Sequence, residues 1–593
     1  MCGIVGYVGN KIASNFVLKS LKFLDYRGYD SAGVGFLNNG QIEVRRVVGS
    51  VENLQKTLKK EVIDSGIMIG HTRWATHGGV SIKNAHPQID NTGEIAVVHN
   101  GIIENYEILK SGLQKKGIVF HSQTDTEVIP NMLHIYLRGI ERSASNILLA
   151  LSSITKHFVG TFALCVIVKG INKIFVCSRF SPLTVCKFKG GVMVASDVNC
   201  LPQGQCFKLP DNSFAVLEIG QVKLFDENLN EIVPNFIQRK QNELYVGLNN
   251  FSSFMEKEIF EGGEAITQTL NFLEKTRVLD DLTITSENKV VITACGTALH
   301  AGRIFAHILK KVCNIECCIN FASEFRYFPP KLRKEDVCFF ISQSGETADT
   351  LSCLHFAKSL GVKTVVITNV VSSTMADVAD KLIPTKAGVE RAVASTKAFM
   401  AQLAACYAIT FNTAQKLSIK CPYSVNDVKA ISKCLNTLEI HNLEAMINQL
   451  EALESIYVLG RGIDFVSAME GALKIKEVSY IHCEAIPLGE LKHGSIALFN
   501  KSTYCFVVMT DRTLYSKVKN NINEIKSRGA KIILITNCEE EVDVDYVIKL
   551  DVSDILSPFL VAKVFQTFAL KLSLKRRINV DKPRNLAKSV TVE

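Results

Sequence analysis

Val337-Cys338-Phe339-Phe340-Ile341-Ser342-Gln343-Ser344-Gly345-Glu346-Thr347 is the stretch that decides the fold of the larger part of this chain. An apolar run of strand length empties into hydroxyls, an amide and a glycine, and the helical pattern Ala348 to Leu360 follows. That is the strand-turn-helix unit of a parallel α/β sheet. Outward from it, Val290 to Ala294 runs into Cys295-Gly296-Thr297 and a helix, and Thr364 to Thr368 ends at Asn369. The same order returns later: Ile456 to Leu459 into Gly460-Arg461-Gly462, Tyr504 to Met509 into Thr510-Asp511-Arg512, and Lys531 to Asn537. Two tandem parallel-sheet α/β lobes are therefore expected, with ligand sites at the C-terminal ends of their strands. At Ser342 to Thr347 the unpaired amides and the helix dipole favour an anion such as a phosphate monoester, although a plain N-cap turn uses the same residue types. The spacings Gly-x4-Gly-Lys-Ser/Thr and Gly-x-Gly-x-x-Gly are absent, which argues against a nucleotide loop. Asp511 at the corresponding place in the second lobe would repel phosphate, so one anion site is expected for the pair.

The first 240 or so residues read differently. Short strand patterns recur between turn residues: Gly3 to Gly9, Ser31 to Leu37, Ile42 to Gly49, Ile67 to Trp74, Glu94 to His99, Thr161 to Lys169, Lys173 to Ser178, Val192 to Ser196 and Phe214 to Phe225. Helical patterns fall at Asn15 to Tyr26 and Asn105 to Lys116. The expected architecture is a sandwich of sheets covered by helices. From Gln238 to Gly263 the periodicity lapses into a polar segment, read as a linker.

With 593 residues, 47% of them hydrophobic and 21% charged, the chain can build roughly three or four domains. No window reaches the ~18 uninterrupted apolar residues of a membrane span, and Ala398 to Phe411, broken by Gln402, suits a buried helix. Lys11 and Lys19 interrupt the only apolar candidate for a signal peptide, so a cytoplasmic location is expected. The cysteines lie within apolar runs, with no Cys-x-x-Cys pair or zinc-like spacing, which suits reduced core thiols and no metal. The net charge of +9 is dispersed, and the clusters Lys331-Leu332-Arg333-Lys334 and Lys575-Arg576-Arg577 lack interleaved aromatics. Nucleic acid is disfavoured as a partner, whereas an anionic small substrate fits.

Three places carry chemistry. Cys2 becomes the first residue if Met1 is removed, and one residue then supplies a thiol nucleophile and an α-amine with a pKa of roughly 7.7 to 8. It could equally be a small residue heading a buried strand. Glu470, Lys474 and Glu477 share one face of the helix pattern Ala468 to Tyr480, as a surface ion-pair trio also would. That face continues into Gly489-Glu490-Leu491-Lys492-His493-Gly494, a polar composition that is expensive beside a sheet unless something binds there. The chain ends in a Pro583-Arg584-Asn585 turn and an apolar alternation that looks ordered, whereas tails commonly fray.

The motifs then carry a resemblance. Cys2-Gly3-Ile4-Val5-Gly6, Tyr26-Arg27-Gly28-Tyr29-Asp30-Ser31-Ala32-Gly33, His71-Thr72-Arg73-Trp74-Ala75-Thr76-His77-Gly78, His99-Asn100-Gly101-Ile102-Ile103-Glu104-Asn105 and Ser122-Gln123-Thr124-Asp125-Thr126-Glu127 resemble glutamine amidotransferases of the N-terminal nucleophile (Ntn) type. Ser342 to Thr347, Val393-Ala394-Ser395-Thr396-Lys397, Glu470-Gly471-Ala472-Leu473-Lys474 and Pro583 to Lys588 resemble sugar isomerase (SIS) domains. In this order they resemble the isomerising glutamine–fructose-6-phosphate aminotransferase family over the whole chain. The resemblance implies an α/β protein: an Ntn αββα-sandwich glutaminase domain at 1–238, a linker at 239–263, SIS lobes at 264–425 and 426–580, and a catalytic C-terminal tail at 581–593.

On the same resemblance, Cys2 attacks the glutamine amide, its own amine moves the protons, and the Asn100 side chain and Gly101 amide hold the oxyanion. Arg73, Thr76, His77 and Asp125 grip the α-carboxylate and α-amine of glutamine. Trp74, the only tryptophan, gates a dry channel for ammonia. Thr297, Ser342, Gln343, Ser344 and Thr347 bind the phosphate of fructose 6-phosphate, and Val393, Ser395 and Ala587 line the sugar. His493, which in that family reaches across from a second subunit, opens the ring; Lys588 forms a Schiff base at C2; Glu477 shuttles the proton between C1 and C2; Lys474 steadies the enediol charge. The implied product is glucosamine 6-phosphate, the first step of hexosamine and UDP-N-acetylglucosamine biosynthesis. No cofactor is implied, and a homodimer is.

The chain departs from the family pattern at Ala298, where a serine is usual, at Phe180 in place of glycine, at Glu261-Gly262-Gly263 in the linker and at Arg576-Arg577 before the tail. Losing one phosphate-side hydroxyl would cost a net hydrogen bond, ~0.5 to 1.5 kcal/mol. Two alternatives share parts of the pattern: a different Ntn amidotransferase, such as a phosphoribosyl one, and a sugar-phosphate-binding regulatory protein. The first lacks its acidic pyrophosphate loop here, and the second has no use for Cys2, Glu477 and Lys588 together.

Overall fold

Along Gly3–Gly9 successive side chains part company: Ile4 and Val8 enter one apolar layer, Val5 and Tyr7 another. A pleated strand buried on both faces must do this. The computed structural model describes residues 2–10, 12–59, 61, 63–239, 247–285 and 287–590, and they fall into two compact units, 1–245 with 589–593, and 246–588.

In the first unit an eight-stranded antiparallel sheet runs in the order Ile237–Arg239, Gly204–Lys208, Thr184–Phe188, Gly191–Ala195, Gly3–Gly9, Ile67–Arg73, Ser31–Asn38, Gln41–Val48. A seven-stranded sheet faces it, with Ile95–Ile103 and Gly160–Val168 among its strands. Ile4, Val8, Ala96, Val98 and Cys165 form the layer between the sheets. Val17 and Leu21 of the helix Ser14–Leu24 cover the outer face of the first sheet. Leu133 and Leu151, from the helices Val128–Leu137 and Ala144–Thr155, cover the outer face of the second. Each such side chain contributes about 1.5–3 kcal/mol on leaving water. The layers are helix, sheet, sheet, helix: the αββα sandwich.

The second unit holds two five-stranded parallel sheets with one shared order. The first is Cys317–Phe321, Val290–Ala294, Val337–Ser342, Lys363–Thr368, Lys381–Pro384; the second is His482–Pro487, Ser455–Gly460, Tyr504–Met509, Lys531–Thr536, Tyr546–Lys549. The strand order reverses between Val290–Ala294 and Val337–Ser342 in the first lobe and between Ser455–Gly460 and Tyr504–Met509 in the second, so each lobe opens a crevice there. One apolar core serves both lobes, with Phe305 and Tyr407 from one and Ala472, Phe559 and Phe565 from the other. Asp554–Lys575 has the length and mean hydropathy (1.4) of a membrane span, but 83% of that window is buried in this core. Gln402 sits buried within the helix Lys397–Lys416.

Several expectations need correction. Phe214 to Phe225 is a hairpin, Ser213–Glu218 and Gln221–Phe225, turned at Gly220. Glu94 to His99 continues to Ile103, which carries Asn100 and Gly101 on the strand rather than after it. The linker read at 239–263 lies partly outside the described residues, at 240–246, and its second half contains the helix Phe254–Phe260 and the start of Gly262–Thr276. The start of that first helix is capped both locally and from a distance. The Ser253 hydroxyl accepts from Glu256 N (3.1 Å), and the carboxylate of Asp581 in the distant tail accepts from Phe254 N (2.9 Å) and Met255 N (2.8 Å). The last three residues of the apolar alternation that closes the chain, 591–593, lie outside the described residues.

Candidate active sites

Gly3 pairs with Thr72 across neighbouring strands, so Cys2 stands beside the exit of Ile67–Arg73. Trp74 N donates to Cys2 Sγ at 3.4 Å, and the thiol reaches Trp74 O at 3.6 Å. From the facing sheet Asn100 Nδ2 donates to Cys2 O (3.1 Å). Burial pushes the Cys2 thiol up, against the pull of the Trp74 amide and Arg73. A thiol in that state needs a base to become a nucleophile. Gly101 follows with φ 120°, and a Cβ there would lie 2.0 Å from Thr161 O, so only glycine fits next to the neighbouring strand.

Arg73 is buried and spends its guanidinium on the carbonyls of a tight turn, Gly78 (3.0 Å) and His77 among them. Asp125 accepts from Ile103 N (2.8 Å) and lies 3.8 Å from His99 Nδ1. Thr76 is exposed and His77 half-buried, 3.4 Å apart at Oγ1 and Nδ1. Trp74 is half-buried, which is not the burial of a core aromatic. The structure thus brings Cys2, Asn100, Gly101, Arg73, Trp74 and Asp125 together. It adds one residue the motif contained without a role: His71, whose Nε2 donates to His99 O (2.9 Å) and Asn100 Oδ1 (3.2 Å) and fixes which way that amide faces. Burial drives its pKa down to about 3, so this histidine is a neutral donor.

In the second unit the loop after Val337–Ser342 folds on its own hydroxyls. Ser342 Oγ lies 2.9 Å from Thr347 Oγ1 and accepts from Gly345 N (3.0 Å), and Ser344 Oγ accepts from Glu346 N (3.2 Å). Gly345 has φ 66° and no room for a Cβ, which would meet Ser373 Oγ at 2.0 Å. Gln343 is half-buried, its carbonyl accepting from Asn369 N (3.2 Å). At the equivalent turn of the second lobe the anion position is already filled. Buried Asp464 accepts from Thr510 N (2.8 Å), Thr510 Oγ1 and Asp511 N (3.3 Å), and burial raises it to about 6. The asymmetry inferred from Asp511 therefore has a second source that the sequence did not disclose.

Between the lobes Lys474 Nζ donates to Glu477 (2.6 Å) and Thr297 Oγ1 (3.0 Å), with Glu470 at 3.6 Å. Thr297 Oγ1 donates to Glu470 Oε1 (3.2 Å), and His300 Nδ1 lies 2.7 Å from Glu470 Oε2. Burial alone would depress Lys474, but Glu477 and Glu470 reverse it and the ammonium is favoured. The trio is thus no surface ion pair: Lys474 and Glu470 are each 1% exposed. Lys588, near the chain end, has a side chain 3% exposed and pairs with buried Glu390, which Ser395 Oγ also reaches (3.2 Å). Val393 N donates to Asp581 O (3.3 Å), tying that loop to the tail, and Ala587 is half-buried beside Lys588. His493 ends a short 3-10 turn and is exposed, apart from this cluster within its own chain. Ala298 packs against the core on the helix that carries Thr297. Among the described residues no group of three or more His, Cys, Asp or Glu side chains is arranged to hold a metal ion.

Residues 71–203 match the family model of a glutamine amidotransferase domain, and 283–411 and 449–575 each match that of the SIS domain. The chain is 41% identical, over the full length of both proteins, to the glutamine–fructose-6-phosphate aminotransferase [isomerizing] of Clostridium acetobutylicum, and 38% identical, again over full length, to that of Brucella suis. The chain belongs to the isomerising glutamine–fructose-6-phosphate aminotransferase family. Among solved structures it resembles the C-terminal domain of glucosamine-fructose-6-phosphate aminotransferase from Francisella tularensis, 31% identical, TM-score 0.52, covering 57% of this chain and all of that one. Membership in this aminotransferase family accounts for two constellations on one chain, and sets aside an amidotransferase with a different acceptor and a regulatory protein without catalysis.

Proposed function

We propose that this chain hydrolyses glutamine, passes the ammonia to fructose 6-phosphate and isomerises the product to glucosamine 6-phosphate, the entry into hexosamine biosynthesis. The observation that carries this is the full-length likeness to enzymes of that name, with Cys2 and Lys588 each set in a buried polar cluster. Cys2 Sγ attacks the glutamine amide carbon, and the raised thiol needs the α-amine freed by loss of Met1 to take its proton. Asn100, oriented by His71, and the Gly101 amide receive the oxyanion. Arg73, Thr76, His77 and Asp125 hold the amino acid's two charged groups, and Trp74 keeps the ammonia from water.

In the other unit Thr297, Ser342, Gln343, Ser344 and Thr347 take the phosphate, and Val393, Ser395 and Ala587 line the sugar. Lys588 forms the imine at C2. Glu477, adjacent to Lys474, moves the proton from C1 to C2, and Lys474, kept charged by two carboxylates, offsets the enediolate. The exposure of His493 supports its action in a neighbouring subunit of a homodimer. The domain limits proposed are 1–238, 239–263, 264–425, 426–580 and 581–593, with 239–263 a connecting segment that is helical over Phe254–Phe260 rather than a structureless linker. The eighteen cysteines form no disulfide among the described residues, which supports a reducing, cytoplasmic setting. Cys2→Ala tests the first half: glutamine hydrolysis is abolished while fructose 6-phosphate still binds, and intact mass of the active enzyme lacks Met1. Full hydrolysis by a protein that retains Met1 would contradict the mechanism.

A further inference from the structure

We infer that Glu390 is the positioning residue and standing counter-ion of Lys588, pairing with its ammonium at rest, taking its proton for the attack on the sugar and then pairing with the protonated imine. The inference rests on Lys588 being the imine-forming lysine. Glu390 sits in the loop between Lys381–Pro384 and Lys397–Lys416, and its side chain is completely buried. One oxygen, Oε1, accepts from Thr396 N and Ala398 N, both at 2.9 Å, at the start of the helix. The other, Oε2, accepts from Ser395 Oγ (3.2 Å) and Lys588 Nζ. The carboxylate is thus clamped by backbone amides as well as by the lysine, and it fixes where Nζ sits.

The charges around it leave Glu390 as the anion. Glu258, on the helix Phe254–Phe260, accepts from Arg391 N and Ala392 N beside Glu390; burial and the Glu390 charge push its pKa up, towards the neutral form. Glu390 is held low: burial would raise it, but Lys588 and the Thr396 and Ala398 amides prevail. Of the remaining cations, Lys397 is committed to Glu261 (2.7 Å) and Lys474 to Glu477. Gln566, from the helix Ser557–Lys575, faces the Thr396 carbonyl and carries no charge.

The chemistry needs such a partner. An ammonium has no lone pair, so its proton must move to Glu390 before nitrogen can bond to C2. As that bond forms, the C2 carbonyl π pair goes to oxygen; the oxygen takes one proton from the attacking nitrogen and the other back from Glu390, and leaves as water while the nitrogen lone pair closes the C=N bond. The product is a cationic imine at the same nitrogen, and a carboxylate beside it holds it protonated and electrophilic.

The test is reductive trapping with cyanoborohydride, which reduces only the protonated imine, in the full chain with fructose 6-phosphate across pH 6 to 10. Glu390→Gln should move the alkaline limb of trapping on Lys588 acidward by about one pH unit or more, since loss of an adjacent anion lowers a cation's pKa. Glu390→Asp, which keeps the charge, should leave the limb near its wild-type position and decides the matter if the glutamine variant fails to bind the sugar phosphate in calorimetry. An unmoved limb in a Glu390→Gln protein that binds sugar phosphate, or a limb displaced by a full unit in Glu390→Asp, overturns the inference. Absence of any wild-type adduct on Lys588, or an adduct on Lys474, would instead overturn the imine assignment beneath it.

Discussion

Replacing Gly101 with alanine should cost the first unit both its catalysis and a measurable part of its stability. The added Cβ would stand 2.0 Å from Thr161 O, 2.7 Å from Thr161 C and 2.8 Å from Phe162 Cα, about 1.4 Å short of ordinary contact with the first. None of those atoms belongs to a side chain that can swing away. A φ of 120° adds backbone strain of about 1–3 kcal/mol for any residue with a Cβ. Relief requires parting Ile95–Ile103 from Gly160–Val168 where Gly101 pairs with Phe162, at ~1 kcal/mol for each ladder hydrogen bond lost. The sum is about 3–5 kcal/mol, or a fall in melting temperature of about 10 °C for a domain of this size. The same movement displaces the amide assigned to the oxyanion and the neighbouring Asn100, a loss of ~10²–10³ in kcat. Glutamine hydrolysis and calorimetric melting of the variant check this, with fructose 6-phosphate binding by the second unit as the internal control. A Gly101→Ala protein that melts like wild type and hydrolyses glutamine within tenfold of it would refute the steric argument and the assignment together.

Trp74→Ala should leave glutamine cleavage substantially active while glucosamine 6-phosphate formed per glutamate released falls; a stable mutant whose two products stay matched one to one would refute the gating role. Asp464 titrates near 6 in the fold against ~3.9 unfolded, so its ionisation opposes folding at neutral pH and that penalty is relieved as pH falls from about 6 to 4. Asp464→Asn should therefore flatten the pH dependence of the second unit's melting over that window by up to about 3 kcal/mol; an unchanged slope would show that Asp464 is ionised at no cost.

Much of this was legible in the chain. Strands such as Gly3–Gly9 and Val337–Ser342 announce themselves because both faces are buried, and the lobe repeat exposed the second sheet's order. Cys2 and the Ser342 loop were visible as chemistry, and the resemblance supplied their roles. What stayed hidden depends on distance in sequence. Asp464 fills the second lobe's anion nest from a helix 46 residues before Thr510, and Glu390 meets Lys588 across 198 residues. The helix Phe254–Phe260 has a local Ser253 cap, but its first two amides are satisfied by Asp581, 327 residues beyond Phe254, which the sequence does not disclose. Val128–Leu137 is apolar nearly all round and so offers no amphipathic period to read. His71 looks like any strand histidine until the facing sheet brings Asn100 to it.

The central claim is that one chain moves the amide nitrogen of glutamine onto a ketose phosphate and returns the aldose. Incubating the purified protein with amide-15N glutamine and fructose 6-phosphate, in excess unlabelled ammonium, measures this directly. Glutamate and glucosamine 6-phosphate should appear in equal amounts, with 15N retained in the amino sugar despite the unlabelled pool. Glutamate without glucosamine 6-phosphate, or amino sugar carrying the unlabelled nitrogen, would contradict it.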